Sequence, residues 1–249
     1  MKTIEELKKA NQELKELMEK TAKGNDLDPE MIIYDGVYDK YLKNYIEAKH
    51  HIMWILKEAY EDKGKYKWDV GNFNEETGAL KKEGTTLRRT CLISYAILKE
   101  CNYKKACEAD IKDLADAGHQ VAIINICKIK TTPGTYSADD ITSDFEIWKG
   151  VTEKQIELYE PEIIICGNTL VNFDEKTSCL KRTIDNKYPL NNKSISPNTE
   201  KKYCYYRENG RLYINICHPS ARDIPKINFK VNWENCVNEI VDIIMHQKK

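Results

Sequence analysis

Apolar residues recur along this chain with two different periods. Ile4, Leu7, Asn11, Leu14 and Met18 step by alternating threes and fours, and Leu17 widens the stripe, so residues 3–22 are predicted to form an amphipathic helix. Lys23-Gly-Asn-Asp26 ends it, and Pro29 opens a second helical stretch through Tyr34, Tyr38, Leu42 and Tyr45. The pattern then tightens. Residues 51–56, 119–127 and 161–166 are short, almost wholly apolar runs, as strands covered on both faces are. Around Asn209-Gly210, residues 203–207 and 211–217 carry a hairpin signal. Helical spacing returns over 85–102, 105–116 and 138–159, then to about 184, and finally through Trp233, Val237, Ile240, Val241 and Ile244. Residues 61–84 and 185–202 read as loops.

Strands alternating with helices predict an α/β fold: a three-layer α/β/α sandwich with a central, mainly parallel four-stranded sheet. The whole of 1–249 reads as one domain, with 1–22 as an appended helix. Asn11 at the seam of that helix offers a register for self-association as a short coiled coil. With so few heptads, capping of its own domain is the preferred reading.

Composition narrows the choice of partners. A formal net charge of -1 gives no general attraction to a polyanion, so nucleic acid would have to be held by local basic groups. Lys81-Lys82, Arg88-Arg89, Lys128 with Lys130, and Arg222 with Lys226 are the candidates. No apolar run approaches a membrane span, and MKTIEELKK lacks the apolar core of a signal peptide, which points to the cytoplasm. The 9 cysteines are odd in number, include no C-x-x-C, and often lie inside apolar runs, so reduced buried thiols are expected and no metal site.

Three predicted strands end in polar residues: Glu58, Asn125 and His218. Parallel strands bring their carboxyl ends to one rim, where ligands bind in open α/β sheets. His218 is followed by Pro219, which cannot extend a ladder, so the strand stops at the imidazole.

Four motifs follow one another over roughly residues 50–225: Leu56-Lys57-Glu58-Ala59-Tyr60, then Ile123-Ile124-Asn125-Ile126-Cys127-Lys128, then Pro161 to Gly167, and last His218-Pro-Ser-Ala-Arg222. In this order they resemble the uracil-DNA glycosylase superfamily. The resemblance implies hydrolysis of the N-glycosidic bond of a flipped-out uracil or other altered base, with double- or single-stranded DNA as partner and no cofactor. In that chemistry positive charge grows on the sugar and negative charge on the departing base. The resemblance makes His218 the donor to the base oxygen, Asn125 the reader of the base edge, and Glu58 the carboxylate that orients water or opposes the sugar cation. Phe73, or otherwise Trp68, would stack on the flipped base, with Tyr60 nearby. Ser220 and Arg222 would hold phosphate, assisted by Lys128.

Departures from the family pattern leave parts of this open. Lys57 stands where the family has Gly, Tyr60 where it has Pro, and Ala59 where the best-known branch has its water-activating aspartate, so Asp69 is a reserve carboxylate. The tyrosine that excludes 5-methyl groups would fall at Glu61, so 5-substituted pyrimidines are not shut out. The iron-sulfur branch needs two cysteines before its first motif, whereas the first here is Cys91, so no cluster is expected. The alternatives are a glycosylase for hypermodified pyrimidines of phage DNA, acting in antiviral defence rather than base-excision repair, and a catalytically idle nucleic-acid binding module.

Overall fold

The computed structural model describes residues 2–57, 73–74, 76–130, 138–167, 169, 204–221 and 232–246. Four strands run parallel: β1 (Ile52–Leu56), β2 (Ala122–Asn125), β3 (Ile163–Gly167) and β5 (Arg211–Ile216), with β4 (Cys204–Glu208) antiparallel at one edge. The sheet order is β2-β1-β3-β5-β4. The expected four-stranded parallel arrangement is present, and the first arm of the hairpin adds a fifth strand. Asn209 and Gly210 both take positive φ, 49° and 77°, as a two-residue turn of the primed type requires.

Strand side chains alternate between two helical layers. Trp54, Ile123, Ile165 and Ile214 pack with α3 (Gly78–Lys81), α4 (Thr86–Leu98), α6 (Ile111–Gly118) and α8 (Trp233–His246). Met53, Ile55, Ile124 and Ile164 pack with α1 (Ile4–Gly24), α2 (Leu42–Ile46) and α7 (Ala138–Tyr159). Both sheet faces are thus covered, which explains why the central strands read as unbroken apolar runs rather than alternating ones.

Helix α1 starts in a capping box: Thr3 accepts from the Glu6 backbone, and the Glu6 side chain accepts from the Thr3 N–H. Its seam residues Leu7, Asn11, Leu14 and Met18 are buried against the same chain. Asn11 Nδ2 donates to the Val37 carbonyl at 3.0 Å and to Asp39 Oδ1 at 2.8 Å, while its Oδ1 accepts from the Tyr159 hydroxyl at 2.8 Å. The residue that offered a coiled-coil register therefore joins α1 to α7 within the fold.

Two stretches differ from the predicted helices. Residues 29–45 contain two short 3-10 turns and α2, with an extended pass between them. In that pass Ile33 N–H donates to the Lys128 carbonyl and Gly36 N–H to the Ile123 carbonyl, both at 2.8 Å, so the segment lies along the outer edge of β2. The stretch 105–116 is split into α5 (Tyr103–Cys107) and α6, because Asn102 and Asp110 each cap a new helix from the side.

Phe73, expected to stack on a flipped base, is 3% exposed and belongs to the core. Its ring stacks on His119 at 4.7 Å, and His119 stacks in turn on Tyr41 at 3.7 Å. His119 precedes β2, so Phe73 is fixed at the end of that strand opposite Asn125.

Two glycines separate packing from helix propensity. A Cβ on Gly118 would lie 2.5 Å from Phe73 Cζ and 2.6 Å from Cys91 Sγ, whereas one on exposed Gly150 meets nothing within 4 Å. In chemical denaturation Gly150→Ala is expected to stabilise by about 0.5–1 kcal/mol. Gly118→Ala is expected to destabilise by about 1–3 kcal/mol, because overpacking outweighs the propensity gain.

Candidate functional site

The carboxyl ends of β1, β2, β3 and β5 share one rim. Asn125 closes β2 and pairs with Leu56 of β1, and Gly167 closes β3 opposite Ile216 of β5, two residues before His218. Three inter-strand steps separate β2 from β5, so the strand that ends at Asn125 and the strand that leads to His218 run about 14 Å apart, with both carboxyl ends on this rim. The floor between them is tight. A Cβ on Gly167 would come within 2.8 Å of Leu56 Cδ2 and 3.0 Å of Pro219 Cδ, so only glycine lets the His218 loop settle across β3.

His218 has a defined protonation geometry. The Ser220 backbone N–H donates to His218 Nδ1 at 3.2 Å, and the Ser220 hydroxyl lies 2.7 Å from the same nitrogen. A backbone N–H can only donate, so Nδ1 is the acceptor and the proton of the neutral ring sits on Nε2. The ring is half-buried: solvent reaches part of it, while protein crowds the rest. Burial pushes its pKa down to about 4, and the Lys57 charge adds to the effect. At neutral pH the site thus presents an uncharged N–H donor.

Asn125 is 3% exposed, and its backbone N–H donates to Asp35 Oδ2 at 2.6 Å. Among the described residues its Nδ2 has no hydrogen-bond partner. A buried amide left in that state costs about 1–3 kcal/mol, and such groups mark places where a ligand or water completes the bonding.

Lys128, expected to assist at phosphate, is completely buried. Its ammonium lies 3.0 and 2.9 Å from the two Asp35 oxygens and 2.8 Å from Gln155 Oε1, while Gln155 Nε2 donates to Asp35 Oδ1 at 2.7 Å. Burial lowers the Lys128 pKa and Asp35 opposes that shift. The lysine holds the carboxylate that holds Asn125 and has no route to a nucleic-acid backbone.

Ser220 is exposed and turned onto His218, where it fixes the imidazole. Glu58, Tyr60, Trp68, Asp69 and Arg222 lie outside the described residues; Lys57 and Ala221 are the last described neighbours of Glu58 and Arg222. No family model matches the chain, and no curated protein matches it in sequence. The site therefore rests on its own geometry. Among the described residues no three His, Cys, Asp or Glu side chains gather as metal ligands would, and no described helix is long and apolar enough to cross a membrane.

Sequence reasoning missed Asp35 and Gln155, and offered Arg89 only as part of a basic pair for nucleic acid. Arg89 Nη1 donates to the Pro219 carbonyl at 2.6 Å and the Ala221 carbonyl at 2.7 Å, bracing the His218 loop. A legible signal existed for it: Arg88 and Arg89 sit in the first turn of α4, which has no acidic residue there, against the polarity of the helix dipole. Cations so placed need other acceptors, and Arg88 finds one in the Leu80 carbonyl at 3.0 Å.

Two measurements check this arrangement. Lys128→Met strands the Asp35 charge in the interior and is expected to cost about 3–5 kcal/mol in denaturant unfolding. In a nitrogen-detected histidine titration, His218 is expected to hold its proton on Nε2 and to ionise near pH 4, with Lys57→Met moving the midpoint upward. Because the folded value lies below the ordinary 6.5, the unfolded chain takes up this proton first; the contribution to stability is present above 6.5 and is lost as pH falls towards 4.

Proposed function

We propose that the chain is a monofunctional DNA glycosylase that hydrolyses the N-glycosidic bond of a flipped-out uracil or another altered base and leaves an abasic site. The observation that carries this reading is the pairing, on one rim, of a buried Asn125 Nδ2 that has no partner among the described residues with a neutral imidazole whose proton is held on Nε2. A base leaves as an anion, and its charge spreads from the ring nitrogen onto the exocyclic carbonyl oxygens. A fixed neutral N–H donor stabilises that charge without itself surrendering a proton. The Asn125 amide offers both a donor and an acceptor to the edge of the base.

A spacing of about 14 Å between the two strands leaves room for one planar heterocycle drawn out of the base stack. In this mechanism His218 donates from Nε2 to the base oxygen as the glycosidic bond lengthens. Asn125 orients the ring. The water that attacks the sugar is assigned to a carboxylate following β1, Glu58 or in reserve Asp69. A DNA substrate and buried cysteines such as Cys91 and Cys236 agree with a cytoplasmic protein. Glu61 at the position of the usual steric gate extends the reading to 5-substituted pyrimidines, where the role would be antiviral defence rather than repair.

The test is direct. Duplex and single-stranded oligonucleotides carrying uracil, hypoxanthine or modified cytosines are incubated with the protein, and abasic sites are cleaved with alkali. Breaks confined to one base type are expected. His218→Ala should lower the rate about 10²–10³-fold, the loss typical of removing one donor to a developing anion. Retention of DNA without breaks on any substrate would replace the enzyme with a binding module. Unchanged activity in His218→Ala would take the imidazole out of the mechanism.

A further inference from the structure

The loop carrying His218 is a turn, closed by the Ala221 N–H donating to the His218 carbonyl at 2.7 Å. Its geometry places the Ser220 N–H on Nδ1, so whatever fixes the turn also fixes the proton of the imidazole. Two of its outward carbonyls, those of Pro219 and Ala221, converge on the single nitrogen Nη1 of Arg89. The Arg89 guanidinium in turn lies over the Trp233 ring at 4.6 Å from its centre, which joins the turn to the first residue of α8. The helix dipole at the start of α4 disfavours this cation, and carbonyl oxygens and an aromatic face offset that penalty.

We propose that Arg89 is the positioning residue of the site: held over the Trp233 ring, it grips the Pro219 and Ala221 carbonyls and so keeps the Ser220 N–H on Nδ1 and the His218 proton on Nε2. Arg89 touches no reacting atom in this scheme. It acts through the turn, and its importance to catalysis rests on the glycosylase reading above, whereas its effect on the imidazole does not. The same placement commits the Arg89 Nη1 donors to the protein's own backbone rather than to phosphate.

The experiment reads the imidazole without DNA. In the full chain with nitrogen-labelled histidine, Arg89→Met is expected to release the turn. The Nδ1 and Nε2 resonances of His218 should move from the fixed Nε2–H pattern towards an average of both tautomers, and the ionisation midpoint should rise towards the ordinary histidine value. Arg89→Lys should retain the Nε2–H pattern, because one nitrogen makes both carbonyl bonds and an ammonium also donates to two. Trp233→Leu should give a smaller shift in the same direction as Arg89→Met.

Melting curves separate a structural effect. A lower melting temperature with His218 resonances unmoved in Arg89→Met would overturn the proposal, as would a Lys variant as perturbed as the Met one. If Arg89→Met does not fold, Trp233→Leu decides: a shift of the His218 resonances supports the relay and unmoved resonances overturn it. Loss of the Nε2–H pattern in a protein that excises no base would uphold Arg89 as positioning residue and defeat the glycosylase reading. Base excision with an imidazole indifferent to Arg89 would do the reverse.

Discussion

A carboxylate and an ammonium, both wholly removed from water, hold the rim together at its β2 end. Asp35 and Lys128 are 93 residues apart, and neither side chain has any exposed surface. Taking two charges out of water costs several kcal/mol each, which their attraction offsets only when the remaining bonding capacity is filled. Here it is filled. The Asp35 carboxylate accepts from Lys128, Gln155 and the Asn125 backbone, and Lys128 also donates to Gln155. Hydrophobic contacts would pack this corner as well, but they would not specify where the Asn125 backbone sits. Directional charge-assisted bonds do.

The two ends of the rim are built by different physics. Asn125 is fixed from behind by a fully enclosed ion pair, on the face covered by α1 and α7. His218 is fixed from the other side by an arginine that faces backbone carbonyls and an aromatic ring. Between them, Gly167 allows Pro219 and Leu56 to meet across β3. Each device constrains backbone rather than side-chain atoms, so the attachment points of Asn125 and His218 are held, while Asn125 Nδ2 keeps no partner among the described residues.

The sheet was legible because burial on both faces writes itself into sequence as short apolar runs, and because Asn-Gly names its own turn. Asn125 and His218 were legible as the polar residues that end such runs. Residues 29–45 were not, since the helical spacing of Tyr34, Tyr38, Leu42 and Tyr45 is local, while the hydrogen bonds to β2 that override it come from about 90 residues away. Lys128 was misplaced for the same reason: a lysine after a strand reads as a surface cation until the aspartate that neutralises it is located. For Phe73 the sequence offers spacing alone, and spacing carries no information about which end of a strand a loop returns to. The split of α5 from α6 was within reach, because Asn102 and Asp110 are good caps inside an otherwise continuous helical pattern.

Gly36 carries a consequence for how the molecule meets its neighbours. With φ at 116°, and the Tyr159 hydroxyl where a side chain would begin, only glycine lets this segment lie flat against β2. The segment occupies backbone groups that an uncovered outer strand would present as a template to any extended peptide. One small residue thereby shields a strongly apolar ribbon from edge-to-edge polymerisation, and a bulkier one would peel the cover away and leave that ribbon adhesive.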